Sequence, residues 1–235
     1  MTALPVEAVI FDVDGTLIDY EYAQREGLRR HLSDSGSSLV EAVWDRWQVA
    51  EERHFARYLA GELTFEGQRR ERVREFVGGP FTDDDADAWF DGYRSHFESS
   101  WRLFDDVLDT LDGLSDRPLA AFSNVSGHYT RRKIAAVGLE DRFVVTWGID
   151  DVGAAKPDPR PFHRVCSALG VETARTLHVG DRYEADALGA CEAGLVGVWL
   201  HRPGAQLSSP PQEHPIDRRV TTVSSLSEVV GFVSE

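Results

Sequence analysis

Ala8-Val9-Ile10-Phe11-Asp12-Val13-Asp14-Gly15-Thr16 is the stretch on which the fold turns. Its first four residues are apolar with no polar alternation, the pattern of a strand buried on both faces. The run stops at two carboxylates and a glycine, which suit a functional turn. A strand covered on both faces belongs to a parallel sheet with helices on either side.

The chain on the C-terminal side fits that sheet. After Trp101, short apolar runs alternate with helical periodicity. Strands are expected at residues 119–122, 143–146, 176–179, 196–200 and about 220–223. Helices are expected at 131–137, 161–169, 185–193 and from Ser225, with Gly138, Gly170 and Gly194 as stops. A Pro-rich loop around Pro210-Pro211 precedes the last strand. The expected fold class is therefore α/β, a doubly wound parallel sheet of Rossmann-like form.

Residues 21–99 read differently. Charged residues dominate, and apolar ones recur at helical spacing: Trp44, Trp47, Phe55 and Tyr58, then Val73, Phe76 and Val77. Gly61, Gly78-Gly79-Pro80 and Gly92 break the segment into about four helices. The aromatic spacing fits packing between helices better than a stacking platform for a base. Arg69, Arg70, Arg72 and Arg74 spread around one helix and read mostly as a solvated face, with one available to meet an anionic substrate. The division expected is a core domain of residues 1–20 and 100–235, with a helical domain of residues 21–99 inserted after the first strand.

Composition narrows the function. The chain has 235 residues, 42% of them hydrophobic, enough for a substantial core. A net charge of -15 argues against a nucleic-acid backbone or an anionic membrane as partner. It leaves a phosphorylated small molecule open, because a local cationic site overrides the global field. No run approaches the roughly 18 to 20 apolar residues of a membrane span, and no secretory signal is visible. Cys166 and Cys191 form no metal-ligand pair, so a cytoplasmic location is the simplest expectation. Of the 25 basic residues only Lys133 and Lys156 are lysines, so each calls for a reason.

In a parallel sheet, ligands bind beyond the carboxyl ends of the strands. The first strand ends in Asp12 and Asp14, and the second in Ser123-Asn124. A loop after the third carries Lys156-Pro157-Asp158-Pro159, and the fourth ends in Gly180-Asp181, with Glu184 and Asp186 beyond. Clustered carboxylates repel one another unless a cation is present. Hard oxygen ligands suit Mg²⁺, which binds one or two carboxylates together with a phosphate oxygen. A cation and a lysine neutralise a transferring phosphoryl group, and a carboxylate can attack it. Gly15 lets backbone N–H groups approach a phosphate, with Thr16 in the same turn.

Asp12-Val13-Asp14-Gly15-Thr16-Leu17, Ser123-Asn124, Lys156-Pro157-Asp158-Pro159 and Gly180-Asp181-Arg182-Tyr183-Glu184-Ala185-Asp186 resemble, in order, the four motifs of the haloacid dehalogenase-like hydrolase superfamily. The resemblance spans about residues 6–200, and the helical insertion resembles that family's first type of cap. It implies that Asp12 is the nucleophile and also a metal ligand. Asp14 is implied to protonate the leaving group, then activate water, and to bind Mg²⁺ through its backbone carbonyl. Ser123 and the Asn124 backbone are implied to hold phosphoryl oxygens, along with Gly15, Thr16 and Lys156. Lys156 balances charge, Asp181 completes the metal site, and Asp186 orders metal-bound water or Lys156. Two positions depart from the family pattern: Val125 follows Ser-Asn where glycine is common, and Arg182 follows Asp181 where a small hydroxyl residue is common. Arg182 and His128 read as surface residues, and Glu184 as an acid at a helix start.

The second aspartate separates reactions. Dehalogenation needs no leaving-group proton, so Asp14 favours phosphoryl transfer. Residues 21–99 hold no lysine, which excludes the Schiff-base chemistry of phosphonate-cleaving relatives, and no histidine closely follows the first motif, as it does in mutases. The expected activity is Mg²⁺-dependent hydrolysis of a small phosphomonoester through an aspartyl-phosphate. A phosphomutase, or a non-catalytic binding module on the same fold, is the alternative.

Overall fold

Strand β1 (Ala8–Phe11) lies inside a six-stranded, all-parallel sheet of order β3-β2-β1-β4-β5-β6. The other strands are β2 (Leu119–Phe122), β3 (Val145–Trp147), β4 (Thr176–Gly180), β5 (Val196–Leu200) and β6 (Thr221–Val223). The computed structural model describes residues 6–204 and 216–233. The loop around Pro210-Pro211 lies outside the described residues. The architecture is the doubly wound α/β fold.

All four residues of β1 are fully buried, which is why the sequence shows no alternation there. The register pairs Phe11 with Ala121 of β2 on one side and with Val179 of β4 on the other. The three central strands therefore end at one level. The chain leaves β1 toward β2 on one side and returns to β4 on the other. That reversal is the switch point at which open α/β sheets bind ligands.

Among the described residues, the chain divides into two compact units, Met1–Glu21 with Arg102–Glu235, and Tyr22–Trp101. In the first unit, helices α5 (Val107–Gly113), α6 (Gly127–Ala136), α7 (Ile149–Val152), α8 (Pro159–Leu169), α9 (Gly189–Glu192) and α10 (Ser227–Val233) flank the sheet. Helix α6 begins four residues earlier than expected, because Ser126 caps it through the Tyr129 amide. Helix α8 starts at Pro159 behind Asp158, whose carboxylate accepts the Arg160 amide. The single helix expected at 185–193 is a π-helical segment, Tyr183–Leu188, followed by α9. A wide turn of that kind re-aims side chains and recurs at functional sites. Helix α5, seven residues long, is too short for its apolar spacing to stand out in the sequence. Asp106 before it fixes it, taking both guanidinium nitrogens of Arg202 at 2.9 Å and the Leu226 amide at 2.8 Å.

The second unit is built from α1 (Tyr20–Asp34, whose first two residues belong to the other unit), α2 (Glu41–Leu59), α3 (Phe65–Val77) and α4 (Asp83–Glu98). Trp47 of α2 packs edge-on against Phe76 of α3 and Tyr93 of α4, with centroids 5.0 and 4.7 Å apart. Trp44 and Trp47 are fully buried, Phe55 and Tyr58 are half-buried, and Val77, at the end of α3, is exposed. The arginine run does not form a single solvated face. Arg72 is 4% exposed and lies 3.7 Å over the Trp47 ring, bonded to Glu51 at 2.9 Å and Gln24 at 3.3 Å. Its flat guanidinium stacks on indole while its fork meets a carboxylate, a site a lysine would not fill. Arg70 and Arg74 pair with Asp83, and Arg70 also with Asp87.

Candidate active site

Asp12 follows β1, and its amide donates to the Val179 carbonyl, so sheet pairing carries one residue past the strand and fixes the carboxylate's direction. It is buried. Lys156 extends into the same space from the loop before α8. Its Nζ lies 2.7 Å from Asp12 Oδ1, 2.6 Å from Asp186 Oδ1 and 3.1 Å from the Phe122 carbonyl. Three acceptors around one ammonium satisfy all of its protons.

Asn124 holds the Lys156 loop. Its side-chain amide donates to the Lys156 carbonyl at 3.0 Å, and its carbonyl oxygen accepts the Lys156 amide at 2.8 Å. The sequence suggests only a backbone role for Asn124, yet its side chain clamps this loop to the end of β2. Ser123, also buried, follows β2 directly, with its amide on the Trp147 carbonyl.

Asp12, Asp181 and Asp186 bring one oxygen each to within 4.8 Å of one another. Asp181 is held by the Trp199 indole, which donates to its carbonyl at 2.9 Å. Asp186 turns inward from the π-helical segment, accepting the Arg182 amide at 2.9 Å and facing His178 Nε2 at 3.2 Å. Two glycines make the crowding possible. A Cβ on Gly15, whose φ is +84°, would run into the Asp181 carboxylate, and one on Gly180 would run into Asp186. The Gly15 amide donates to the Ile18 carbonyl at 2.9 Å, closing the turn after β1. Thr16 is fully buried, its carbonyl accepts from Arg202 at 3.1 Å, and its hydroxyl has no partner among the described residues.

Electrostatics separate the three clustered acids. Burial pushes the Asp12 carboxyl up; Lys156 counters this in part, Asp186 and Asp14 add to it, and the pKa reaches about 7. Burial and the Asp12 charge raise Asp181 well above the carboxylate range. Burial acts on Asp186 too, but Lys156 and His178 outweigh it and hold that carboxyl below its usual value. Burial opposes the charge on Lys156, yet the Asp12 and Asp186 carboxylates overcome it and raise its pKa. Asp181 Oδ1 is buried with no hydrogen-bond partner among the described residues. An orphaned carboxylate oxygen beside two other acids, all hard oxygen donors, fits a divalent cation bound through oxygen.

The Asp14 carboxylate stands outside that cluster. Lys133 of α6 binds both of its oxygens, at 2.7 and 2.5 Å. The sequence reading singles out Lys133 as one of two lysines but finds no role for it. Its burial beside Thr130 and Ile134 is the signal, since a lysine on the packed face of a helix requires a partner. His178 also went unnoticed, because a histidine inside an apolar strand reads as core. Arg182, Glu184 and His128 are exposed.

The chain is 28% identical over 237 residues to N-acylneuraminate-9-phosphatase of Mus musculus, covering 96% of this chain and 95% of the relative. It is 29% identical over 228 residues to phosphoglycolate phosphatase of Escherichia coli strain K12, covering 87% of each. The HAD-hydrolase YfnB of Bacillus subtilis, solved bound to magnesium, superposes with a TM-score of 0.82 at 21% identity, over 99% of this chain and 100% of that one. The family model for haloacid dehalogenase-like hydrolase matches residues 6–194, from β1 past the acidic cluster to the end of α9. With that match over most of its length, and with the sheet and four sets of strand-end residues described above, the chain belongs to the haloacid dehalogenase-like hydrolase family.

Proposed function

We propose that the protein is a Mg²⁺-dependent phosphatase that hydrolyses small phosphomonoesters through an aspartyl-phosphate on Asp12. The observation that carries this reading is the division of labour between the first two aspartates. Asp12 sits in the acidic cluster with Lys156, while the Asp14 carboxylate is held apart from it. A nucleophile and a separate proton carrier are what phosphate-ester cleavage requires. The relatives named as phosphatases for N-acylneuraminate 9-phosphate and phosphoglycolate support a small phosphorylated substrate.

In this mechanism an Asp12 carboxylate oxygen forms a bond to phosphorus. The bond from phosphorus to the leaving oxygen breaks, its electron pair going to that oxygen, which takes a proton from the Asp14 carboxyl. Asp14, now a carboxylate, takes a proton from the water that attacks the aspartyl-phosphate, and Asp12 is released. Ser123 and the backbone of Asn124, with Thr16, hold the phosphoryl oxygens; the Gly15 amide is taken by the Ile18 carbonyl, so Gly15 shapes the turn and does not donate to phosphate. Lys156 offsets charge between Asp12 and the phosphoryl group. Asp12, Asp181 and the Asp14 backbone carbonyl would hold Mg²⁺, with Asp186 ordering Lys156 beside them. When bound, Mg²⁺ supplies positive charge that keeps the carboxylates ionised and polarises the phosphoryl group. Among the described residues no helix is long and apolar enough to cross a membrane. A cytoplasmic location, with neither nucleic acid nor membrane as partner, completes the proposal.

The test is phosphate release with Mg²⁺ across sugar phosphates, nucleotides and short phospho-acids, with Asp12→Asn as control. Beryllium fluoride should inhibit only with Mg²⁺ present, by mimicking a phosphoryl group on Asp12. Turnover that survives in Asp12→Asn, or in full chelator, would overturn the mechanism.

A further inference from the structure

Lys133 belongs to none of the four motifs, yet it is 1% exposed and ends on Asp14. It projects from the packed face of α6, and its ammonium binds both Asp14 oxygens. The rings of Tyr20 and Tyr129 lie 5.2 and 5.0 Å from Nζ, within range of a cation–π contact. A buried ion pair is weak as a source of stability, since apolar residues of similar volume replace such pairs at little cost. In a chain that otherwise uses arginine, a lysine at this point supplies a compact charge that one carboxylate can share through both oxygens.

We infer that Lys133 is a positioning residue for proton transfer by Asp14. It fixes the direction of the Asp14 carboxyl and neutralises the carboxylate left when that group gives its proton to the leaving oxygen. The inference rests on the phosphatase reading and deepens it. Without Lys133, the two bonds that hold the Asp14 carboxyl would be lost, and that group would be free to rotate away from the leaving oxygen. Proton donation would then fail selectively, because only a basic leaving oxygen needs the proton.

The experiment compares the full-length wild type with Lys133→Met, Asp14→Asn and the double variant, all with Mg²⁺. The readout is kcat/KM for p-nitrophenyl phosphate, whose phenolate leaves without help, and for the alkyl phosphomonoester that the wild type hydrolyses best. This ratio reports the steps up to leaving-group departure, so the later water attack does not enter it. Lys133→Met should lose about tenfold or more on the alkyl ester beyond any loss on the aryl ester, as general acids contribute about 10²–10⁴-fold. In the Asp14→Asn background, Lys133→Met should change the alkyl ester by no more than about twofold. Equal losses on the two esters, or a further large loss in that background, would overturn the role. If Lys133→Met does not fold because it leaves the Asp14 carboxylate unpaired, the double variant, neutral at both positions, decides. Activity equal to Asp14→Asn supports the inference, and lower activity overturns it. A wild type that releases no phosphate from either ester overturns the phosphatase reading itself, and this role falls with it.

Discussion

Lys156 Nζ lies 2.6 Å from Asp186 Oδ1, and both side chains are 1% exposed. This pair sets the charge of everything around it. Lys156 also holds Asp12, Lys133 holds Asp14, and Asp181 retains an oxygen with no partner among the described residues. With all four aspartates of this group ionised, its two lysines would leave two negative charges uncompensated. That excess matches one divalent cation.

Asp12→Asn keeps the shape of the side chain and removes the nucleophile. Phosphate release should fall at least about 10³-fold, the scale on which single nucleophiles are lost in hydrolases. The melting temperature without metal should stay level or rise, since the variant relieves a buried anion whose pKa is pushed up to about 7. A large fall in melting temperature alongside lost activity would assign Asp12 to the fold instead of the reaction.

Lys156→Arg should abolish turnover even though charge is retained. The three acceptors around Nζ suit a compact ammonium, and a planar, forked guanidinium would not reproduce those three bonds. Lys156→Met should also destabilise the protein by about 3–5 kcal/mol, because it removes the buried cation that Asp186 pairs with. Urea unfolding measures the second effect and steady-state kinetics the first.

The raised pKa values of Asp12 and Asp181 set the sign of a pH effect. A carboxyl whose folded pKa lies above its unfolded value of 3.8 adds stability that is full below that value. The contribution disappears as pH rises through the folded pKa, about 7 for Asp12. Metal-free protein should therefore lose this contribution between about pH 4 and pH 8. Mg²⁺ should offset that loss, raising the melting temperature more at pH 8 than at pH 5. At 100-fold over its dissociation constant the gain is about 2.7 kcal/mol, or roughly 5–10 °C for a chain of this size. Equal Mg²⁺ shifts at both pH values in a thermal scan would contradict the linkage.

In the helical unit, Arg72→Ala should cost about 3–5 kcal/mol, since it strips the Trp47 face and removes the cation that Glu51 pairs with. Arg70→Ala removes pairs with exposed Asp83 and Asp87 and should leave the melting temperature almost unchanged. Thermal unfolding of the two variants separates a stacked, buried arginine from a solvated one that the sequence presents in the same run.

Much of the architecture was legible without coordinates. An apolar run with no alternation, followed by strand and helix in turn, admits few arrangements besides a parallel sheet, because backbone pairing and burial on both faces constrain the pattern. The order of Asp12, Ser123 and Asp181 put them at strand ends and Lys156 in a loop beyond one, and in parallel strands those ends share one edge. Distance, pairing and wide turns were decided only in three dimensions. Nothing in local sequence could tell that Lys133 meets Asp14 from 119 residues away, or that His178 backs Asp186 from inside a strand. Nor could it tell that Arg72 leaves its neighbours to stack on Trp47. These contacts join side chains that only the packed chain brings together, where removal from water forces each charge to find a partner.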